Sequence, residues 1–206
     1  KHSRENGRQT LKRPLFHSYD LSRFLLSLIV VAKMQTPPEM IWEQPECIGD
    51  VPKKRSGHTL TNSPSTPFVI LFGGCESGRP PAPTNDVFKL DIQDPEKFYW
   101  AKVSVSGPTP TPRWHHSATL LPDGKTFVVF GGFGGKVQPL LNDVWLYNTE
   151  ADSWDQPVPG QTTEVDGIVK LKVDWANVPV PRGSHSAAVS GNSLLVFGGD
   201  GGGGFT

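Results

Sequence analysis

The chain has 206 residues, enough for one or two ordinary domains, and its 22 glycines and 20 prolines indicate many turns. The 20 Lys and Arg balance the 20 Asp and Glu, but residues 1–33 carry seven basic and two acidic side chains. The remainder is therefore mildly acidic, which argues against a nucleic-acid-binding protein. The two cysteines, Cys47 and Cys75, form no metal-ligand pattern, so we expect free thiols or, alternatively, one disulfide.

Residues 1–33 form a basic leader that ends in an apolar run. This run, residues 24–32, is shorter than the roughly 20 residues that span a bilayer. Its length suits a signal peptide, but a long basic segment precedes it and no small-residue cleavage site follows cleanly. Three interpretations stay open: a disordered or non-native leader before Met34, a targeting or anchoring segment, and a structured helix.

Cysteine usage predicts the compartment. A chain of this length without a disulfide framework is typical of the cytosol or the nucleus. We therefore expect a cytoplasmic protein, with a nuclear location as the alternative and secretion if residues 24–32 form a signal segment.

An apolar run that ends in two glycines occurs three times. The doublets are Gly73 and Gly74, Gly131 and Gly132, and Gly198 and Gly199, so the second interval is somewhat longer than the first. An Arg-x-x-His segment precedes each doublet, and the interval from the arginine to the first glycine is nearly constant. These segments begin and end at Arg55 and His58, Arg113 and His116, and Arg182 and His185.

Other features keep the same order along the chain. An Asn-Asp pair and a tryptophan follow the first two doublets, and these tryptophans are Trp100 and Trp154. Trp42 lies as far before Arg55 as Trp100 lies before Arg113, whereas Trp175 lies closer to the arginine that follows it. Self-similarity at a nearly fixed period indicates a repeated supersecondary unit.

Each repeat predicts a four-stranded antiparallel sheet. The first strand follows the histidine, and the second is the apolar run, which we expect to be buried on both faces. The doublet permits positive φ and close backbone approach, and the Asn-Asp pair predicts a turn. The third strand follows that pair, and the fourth carries the tryptophan, whose ring should cover the sheet. Because one such sheet cannot bury both faces alone, the sheets should stack radially into a propeller, typically of four to eight blades.

The doublet, the spaced aromatic and the tryptophan together resemble the kelch-repeat family, over roughly residues 41–199. The proline-rich linker at residues 107–113 is similar to those of kelch proteins without a BTB domain. The resemblance implies an all-β fold of kelch-type propeller blades. We expect residues 34–206 to hold about two and a half blades, with an insertion at residues 155–174 and further blades or a fused domain beyond Thr206.

The resemblance also implies a function and a site. It implies a scaffold or adaptor that binds a protein partner through the loops between strands. In kelch substrate adaptors, arginines near the strand entrance line the partner pocket, which makes three arginines and three histidines candidates: Arg55, Arg113, Arg182, His58, His116 and His185. The alternative is that the arginines bond loop carbonyls or acidic neighbours. The loops at residues 76–84 and 133–141 are further candidates.

The pattern predicts neither enzyme activity nor a cofactor. Equivalent histidines of successive blades are spread around an axis, too far apart to bind one metal ion. The segment around Ser184 is not a nucleophile elbow, and the glycine run at residues 201–204 lacks the lysine of a phosphate-binding loop. The alternative is the propeller half of a larger enzyme, such as the kelch–phosphatase fusions of plants and protists.

Overall fold

The computed structural model describes residues 31–35, 39–77, 82–135, 139–157, 162–165, 169–172, 177–191 and 193–202. The regular elements in this part of the chain are all β-strands, as predicted. The strands are β1 Val31–Gln35, β2 Glu39–Glu43, β3 Glu46–Gly49, β4 Arg55–Ser56, β5 Thr59–Asn62, β6 Phe68–Phe72, β7 Cys75–Glu76, β8 Ala82–Pro83, β9 Val87–Asp91, β10 Lys97–Lys102, β11 Ser117–Leu120, β12 Thr126–Phe133, β13 Leu140–Asn148, β14 Ser153–Asp155, β15 Thr162–Val165, β16 Val169–Lys172, β17 Ser186–Ser190 and β18 Ser193–Phe197. The described residues contain no helix that is long and apolar enough to cross a membrane.

The first repeat forms a five-stranded sheet, blade 1, in the order β3-β10-β9-β6-β5. Strands β5, β6, β9 and β10 are the four predicted strands, and each is antiparallel to its neighbour. Strand β3 adds in parallel to the outer edge of β10, with Glu46 opposite Lys97. The repeat pattern did not predict this fifth strand, because pairing between distant segments has no local sequence signal.

The second repeat forms a four-stranded sheet, blade 2, in the order β11-β12-β13-β14. Asn142 and Asp143 lie inside β13 rather than in the predicted turn. The reason is a register shift in β12 between Phe130 and Gly132, after which β12 and β13 pair again. Such a bulge lets the ladder continue past the doublet, so β13 begins earlier than the sequence suggests.

The glycine doublets have the backbone conformation that the sequence predicts. All six φ angles are positive: 63° at Gly73, 96° at Gly74, 61° at Gly131, 102° at Gly132, 68° at Gly198 and 98° at Gly199. At Gly132, a Cβ atom would lie 2.8 Å from the carbonyl oxygen of Trp114, closer than real Cβ contacts allow. A side chain at this position would therefore be both strained and obstructed.

Strands β17 and β18 form a two-stranded sheet, blade 3, and the blades stack around a common side. Strand β11 contacts β5 of blade 1 and β17 of blade 3, so the first strands of the three blades lie next to one another. The three blades form an unclosed ring of the kind predicted.

Two apolar layers join the blades, and we call them the first seam (blades 1 and 2) and the second seam (blades 2 and 3). Strand β12 supplies both layers, because successive side chains of a strand point to opposite faces. Phe127 and Val129 pack in the first seam, and Val128 and Phe130 pack in the second. Seven of the eight residues of β12 are buried, which confirms the predicted burial on both faces. Each such side chain contributes roughly 1.5–3 kcal/mol of transfer free energy.

The blade tryptophans differ in burial. Trp100 and Trp154 are 3% and 6% exposed, and Trp154 packs against Phe72 across the first seam. Trp42, predicted to cover a blade as they do, is 65% exposed. It lies in β2, which pairs only with β1 in a separate hairpin of the described chain, so no sheet lies beneath its ring. Trp175 lies outside the described residues.

Two hairpins lie outside the blades, and the predicted domain boundaries stay predictions. Strand β1 begins at Val31, before the boundary predicted between residues 33 and 34. The predicted insertion at residues 155–174 contains a hairpin of β15 and β16, with Thr162 opposite Lys172.

Candidate functional site

The three Arg-x-x-His segments lie at one end of the blades, which we call the motif end. The third residue of each segment has a left-handed backbone, with φ of 65° at Gly57, 52° at His115 and 57° at Ser184. The amide of His115 donates to the carbonyl of Gly57 at 2.7 Å, and the amide of Ser184 donates to the carbonyl of His115 at 2.9 Å. This ladder links the three segments directly.

The three arginines share two contacts within their own repeats. Each Nη1 donates to the carbonyl of the first doublet glycine, at 3.0 Å for Arg55, 3.0 Å for Arg113 and 2.8 Å for Arg182. Each Nε donates to the carbonyl two residues before it, at 3.2, 3.1 and 3.2 Å respectively. The arginines therefore hold the glycine bend of each blade against its entry loop.

Arg113 is fully buried and paired with an acidic side chain. Its two terminal nitrogens each donate to an oxygen of Asp143 at 2.7 Å, a bidentate geometry. Trp145 Nε1 donates to the same carboxylate at 2.8 Å. These contacts favour the alternative in which the arginine bonds loop carbonyls and acidic neighbours rather than a partner.

Arg55 has a related but looser set of partners. Its Nη2 lies 3.4 Å from Asp86 and 3.5 Å from Glu76, and Lys102 Nζ lies 2.7 Å from Asp86. These groups line an open cleft together with Asp50 and Phe88. The partner-binding role of the arginines stays a prediction, with less support at Arg113 than at Arg55.

Two of the candidate histidines fasten one blade to the next. His116 Nε2 lies 2.9 Å from the hydroxyl of Thr59, and His185 Nε2 lies 2.9 Å from that of Ser117. Their rings pack against the phenylalanine that precedes the doublet of the preceding blade, at centroid distances of 5.0 Å for Phe72 and 5.3 Å for Phe130. The contacts of His116 and His185 therefore give these two side chains a structural role between blades.

The surroundings of the three candidate histidines lower their pKa values. Burial, and then the Arg113 charge, lowers the pKa of His116 to about 3. Burial and a neighbouring arginine also lower the pKa of His58 and of His185. The described residues contain no group of three or more His, Cys, Asp or Glu that could hold a metal ion.

An aromatic cluster at the motif end was not predicted from the sequence. The rings of Trp114, His115 and Phe133 lie with centroids 5.3 to 6.0 Å apart. His115 is exposed and Trp114 is half-buried. The available signal was the pair of variable positions in the Arg-x-x-His segment, which hold Trp and His only in blade 2.

Trp114 also borders a hollow at the motif end. Lys54, Cys75, Glu76 and Ser77 line its other sides. Cys75 and Cys47 are both free thiols, so the disulfide alternative is not formed. Of the two predicted binding loops, residues 78–81 and 136–138 lie outside the described residues.

The KLHDC2/KLHL20/DRC7 Kelch-repeats domain family matches residues 27–167. The chain belongs to this kelch-repeat family. The match confirms the predicted family and begins upstream of residue 34. Kelch-repeat domains are in general non-catalytic modules that bind protein partners.

Several curated proteins are similar to this kelch chain. The flagellar outer-arm dynein alpha chain of Chlamydomonas reinhardtii is 35% identical over 167 residues, which is 80% of this chain and 3% of that protein. The leucine-zipper-like transcriptional regulator 1 homolog of Drosophila melanogaster is 29% identical over 162 residues, 75% of this chain and 14% of that protein. A probable serine/threonine-protein kinase of Dictyostelium discoideum is 30% identical over 132 residues, 64% of this chain and 8% of that protein. The chain thus spans only a small part of each of these relatives.

Proposed function

We propose that this kelch chain is a scaffold or adaptor module that binds a protein partner at the motif end of its blades. The observation that carries the proposal is the aromatic cluster of Trp114, His115 and Phe133 beside the hollow. Aromatic side chains that are at least partly exposed on a rigid scaffold are typical of binding surfaces, since they supply large contact area at low entropic cost.

The charges around the hollow suggest the chemistry of the partner segment. Lys53 Nζ lies 3.4 Å from Glu76 at its edge, and Lys54 lines it. Trp114 offers a half-buried indole face to an apolar or cationic side chain. We therefore favour a segment that presents an apolar or basic side chain to Trp114 and polar groups to the rim.

Substitution of Trp114 tests this proposal. We expect Trp114→Ala to reduce partner recovery at least fivefold in quantitative affinity capture, with an unchanged melting temperature. Tyr99→Ala is the control, because Tyr99 is an exposed aromatic side chain that lies away from the hollow, on the outer strand β10. Equal recovery by the wild type and Trp114→Ala would rule out binding at this surface.

A further inference from the structure

The linker between blades 1 and 2 differs from the corresponding segments of the other repeats. The residue two positions before the repeated arginine is Lys53 in blade 1, Thr111 in blade 2 and Val180 in blade 3. Of these three side chains, only that of Thr111 carries a hydroxyl group. One proline directly precedes Thr111 and another directly follows it. Blade 2 therefore has a hydroxyl between two prolines at a position where its neighbours have none.

Thr111 is presented on the surface of the folded chain. Its side chain is exposed, and the linker residues around it belong to no strand. The linker is nevertheless anchored on both sides. Before Thr111, Asn85 Nδ2 donates to the carbonyl of Pro110 at 3.1 Å. After it, the amide of Arg113 donates to the carbonyl of Thr84 at 3.0 Å. An enzyme can thus reach the hydroxyl of Thr111 without the opening of a blade.

The guanidinium group of Arg113 lies directly beside this hydroxyl. An arginine side chain has five N–H donors. Four of them bond to the carbonyls of Thr111 and Gly131 and to both oxygens of Asp143. The fifth, on Nη2, donates to Thr111 Oγ1 at 3.3 Å, the longest of the five contacts. Because hydrogen bonds to ionised acceptors are shorter and stronger, this donor can bind a phosphate group on Thr111 while Asp143 keeps its own two.

Three other hydroxyl groups of the described residues directly precede a proline, and each lacks one of these properties. Ser63 is fully buried, and the hydroxyl of Thr66 is buried as well. Thr109 is exposed, but its hydroxyl accepts from the side-chain amide of Asn85 at 3.4 Å rather than from a charged group. Among these described positions, exposure and a neighbouring cation coincide at Thr111.

We propose that Thr111 is a phosphorylation site for a proline-directed protein kinase and that Arg113 binds the phosphate group. Because proline has no backbone N–H, a kinase groove that offers the next residue no acceptor favours a threonine followed by proline. A bond forms between Thr111 Oγ1 and the γ-phosphorus of ATP, ADP leaves, and the hydroxyl proton passes to the catalytic base of the kinase. The product adds a charge of about −1.5 to −2 to the linker that leads into the motif end. This modification does not depend on partner binding at Trp114.

The first test treats the folded 206-residue chain with ATP and two purified proline-directed kinases, one cyclin-dependent and one mitogen-activated, and locates phosphate by mass spectrometry. We expect roughly tenfold or more phosphate at Thr111 than at Ser63 or Thr66, because buried hydroxyls become accessible only after local opening. Thr111→Val should remove this signal, whereas Thr109→Val, the matched control in the same linker, should leave it unchanged. A folded wild type that neither kinase phosphorylates at Thr111 would overturn the proposal.

A second measurement tests the role of Arg113. Phosphorus NMR titration gives the second acid dissociation constant of the phosphate group on Thr111, which in an unperturbed phosphothreonine corresponds to a pKa of about 6. A synthetic peptide of residues 105–115 with the same phosphothreonine is the comparison, since it contains the arginine without the fold. We expect this constant to be about threefold or more larger in the folded chain, because the Arg113 cation favours the dianion, and Asp143, itself paired with Arg113, opposes it only in part. An equal or smaller constant would show that Arg113 does not bind the phosphate group.

Discussion

At the residue scale, the structure shows that an arginine at the repeated position does not by itself define a binding site. Arg113 is fully buried and its partner Asp143 is the only acidic side chain paired with it in the described structure. Asp143→Ala would leave a buried charge unpaired, which typically costs about 3–5 kcal/mol. We expect a loss of this size in the free energy of unfolding, measured by urea denaturation.

A surface pair in the same blade provides the control for Asp143. Lys125 Nζ lies 3.2 Å from Glu150, whose side chain is 52% exposed. Glu150→Ala should cost no more than about 1 kcal/mol, because water screens exposed ion pairs. Similar losses in the two variants would contradict a structural role for the buried pair.

His116 makes stability depend on pH. An unfolded histidine has a pKa of about 6.5, whereas burial and Arg113 lower the pKa of folded His116 to about 3. Between these values the unfolded state binds the extra proton, so stability is complete above pH 6.5 and falls as the pH decreases toward 3. This group alone should contribute a slope of up to about 1.4 kcal/mol per pH unit.

The measurement is urea denaturation at several pH values between 7 and 4. His116→Gln should lower stability at pH 7 but reduce the slope below pH 6. His115→Asn serves as the control, since His115 is exposed and Asn tolerates its left-handed backbone. An unchanged slope in His116→Gln would show that His116 is not the source of this pH dependence.

At the element scale, the repeat predicted the strands of the blades because their signals are local. The apolar run, the doublet and the tryptophan each mark one strand, and β12 is buried on both faces as expected. The parallel strand β3 and the early start of β13 could not be predicted, because distant pairing and a bulge decide them. The site could not be predicted for a similar reason. Arg113 is buried whereas His115 is exposed, and residue type does not determine burial.

At the element scale, substitution of the second glycine of a doublet tests whether the bend after the strand requires glycine. At Gly132, positive φ and the nearby Trp114 carbonyl both oppose a Cβ atom. Gly132→Ala should destabilise the chain by roughly 1–3 kcal/mol or more, since strained backbone costs that much. Gly135→Ala is the control, because nothing lies within 4 Å of its Cβ position. Calorimetry should show a lower melting temperature for Gly132→Ala only.

At the scale of the whole molecule, local stability should differ between the blades, because the blades differ in their number of seams. In stacked repeats, each unit is stabilised by its own contacts and by its neighbours. Among the described residues, blade 2 has a seam on both faces, whereas blade 3 has one and leaves Phe197 exposed. Blade 3 should therefore open locally more often than blade 2.

Hydrogen exchange of the chain tests this order. Amides of β12 should exchange at least ~100-fold more slowly than those of β18, since local opening of blade 3 breaks a single seam. Global unfolding must break both seams before β12 is exposed. Uniform protection would instead mean that the three blades unfold as one unit, so that the seams, and not the individual sheets, set the cooperativity of this kelch chain.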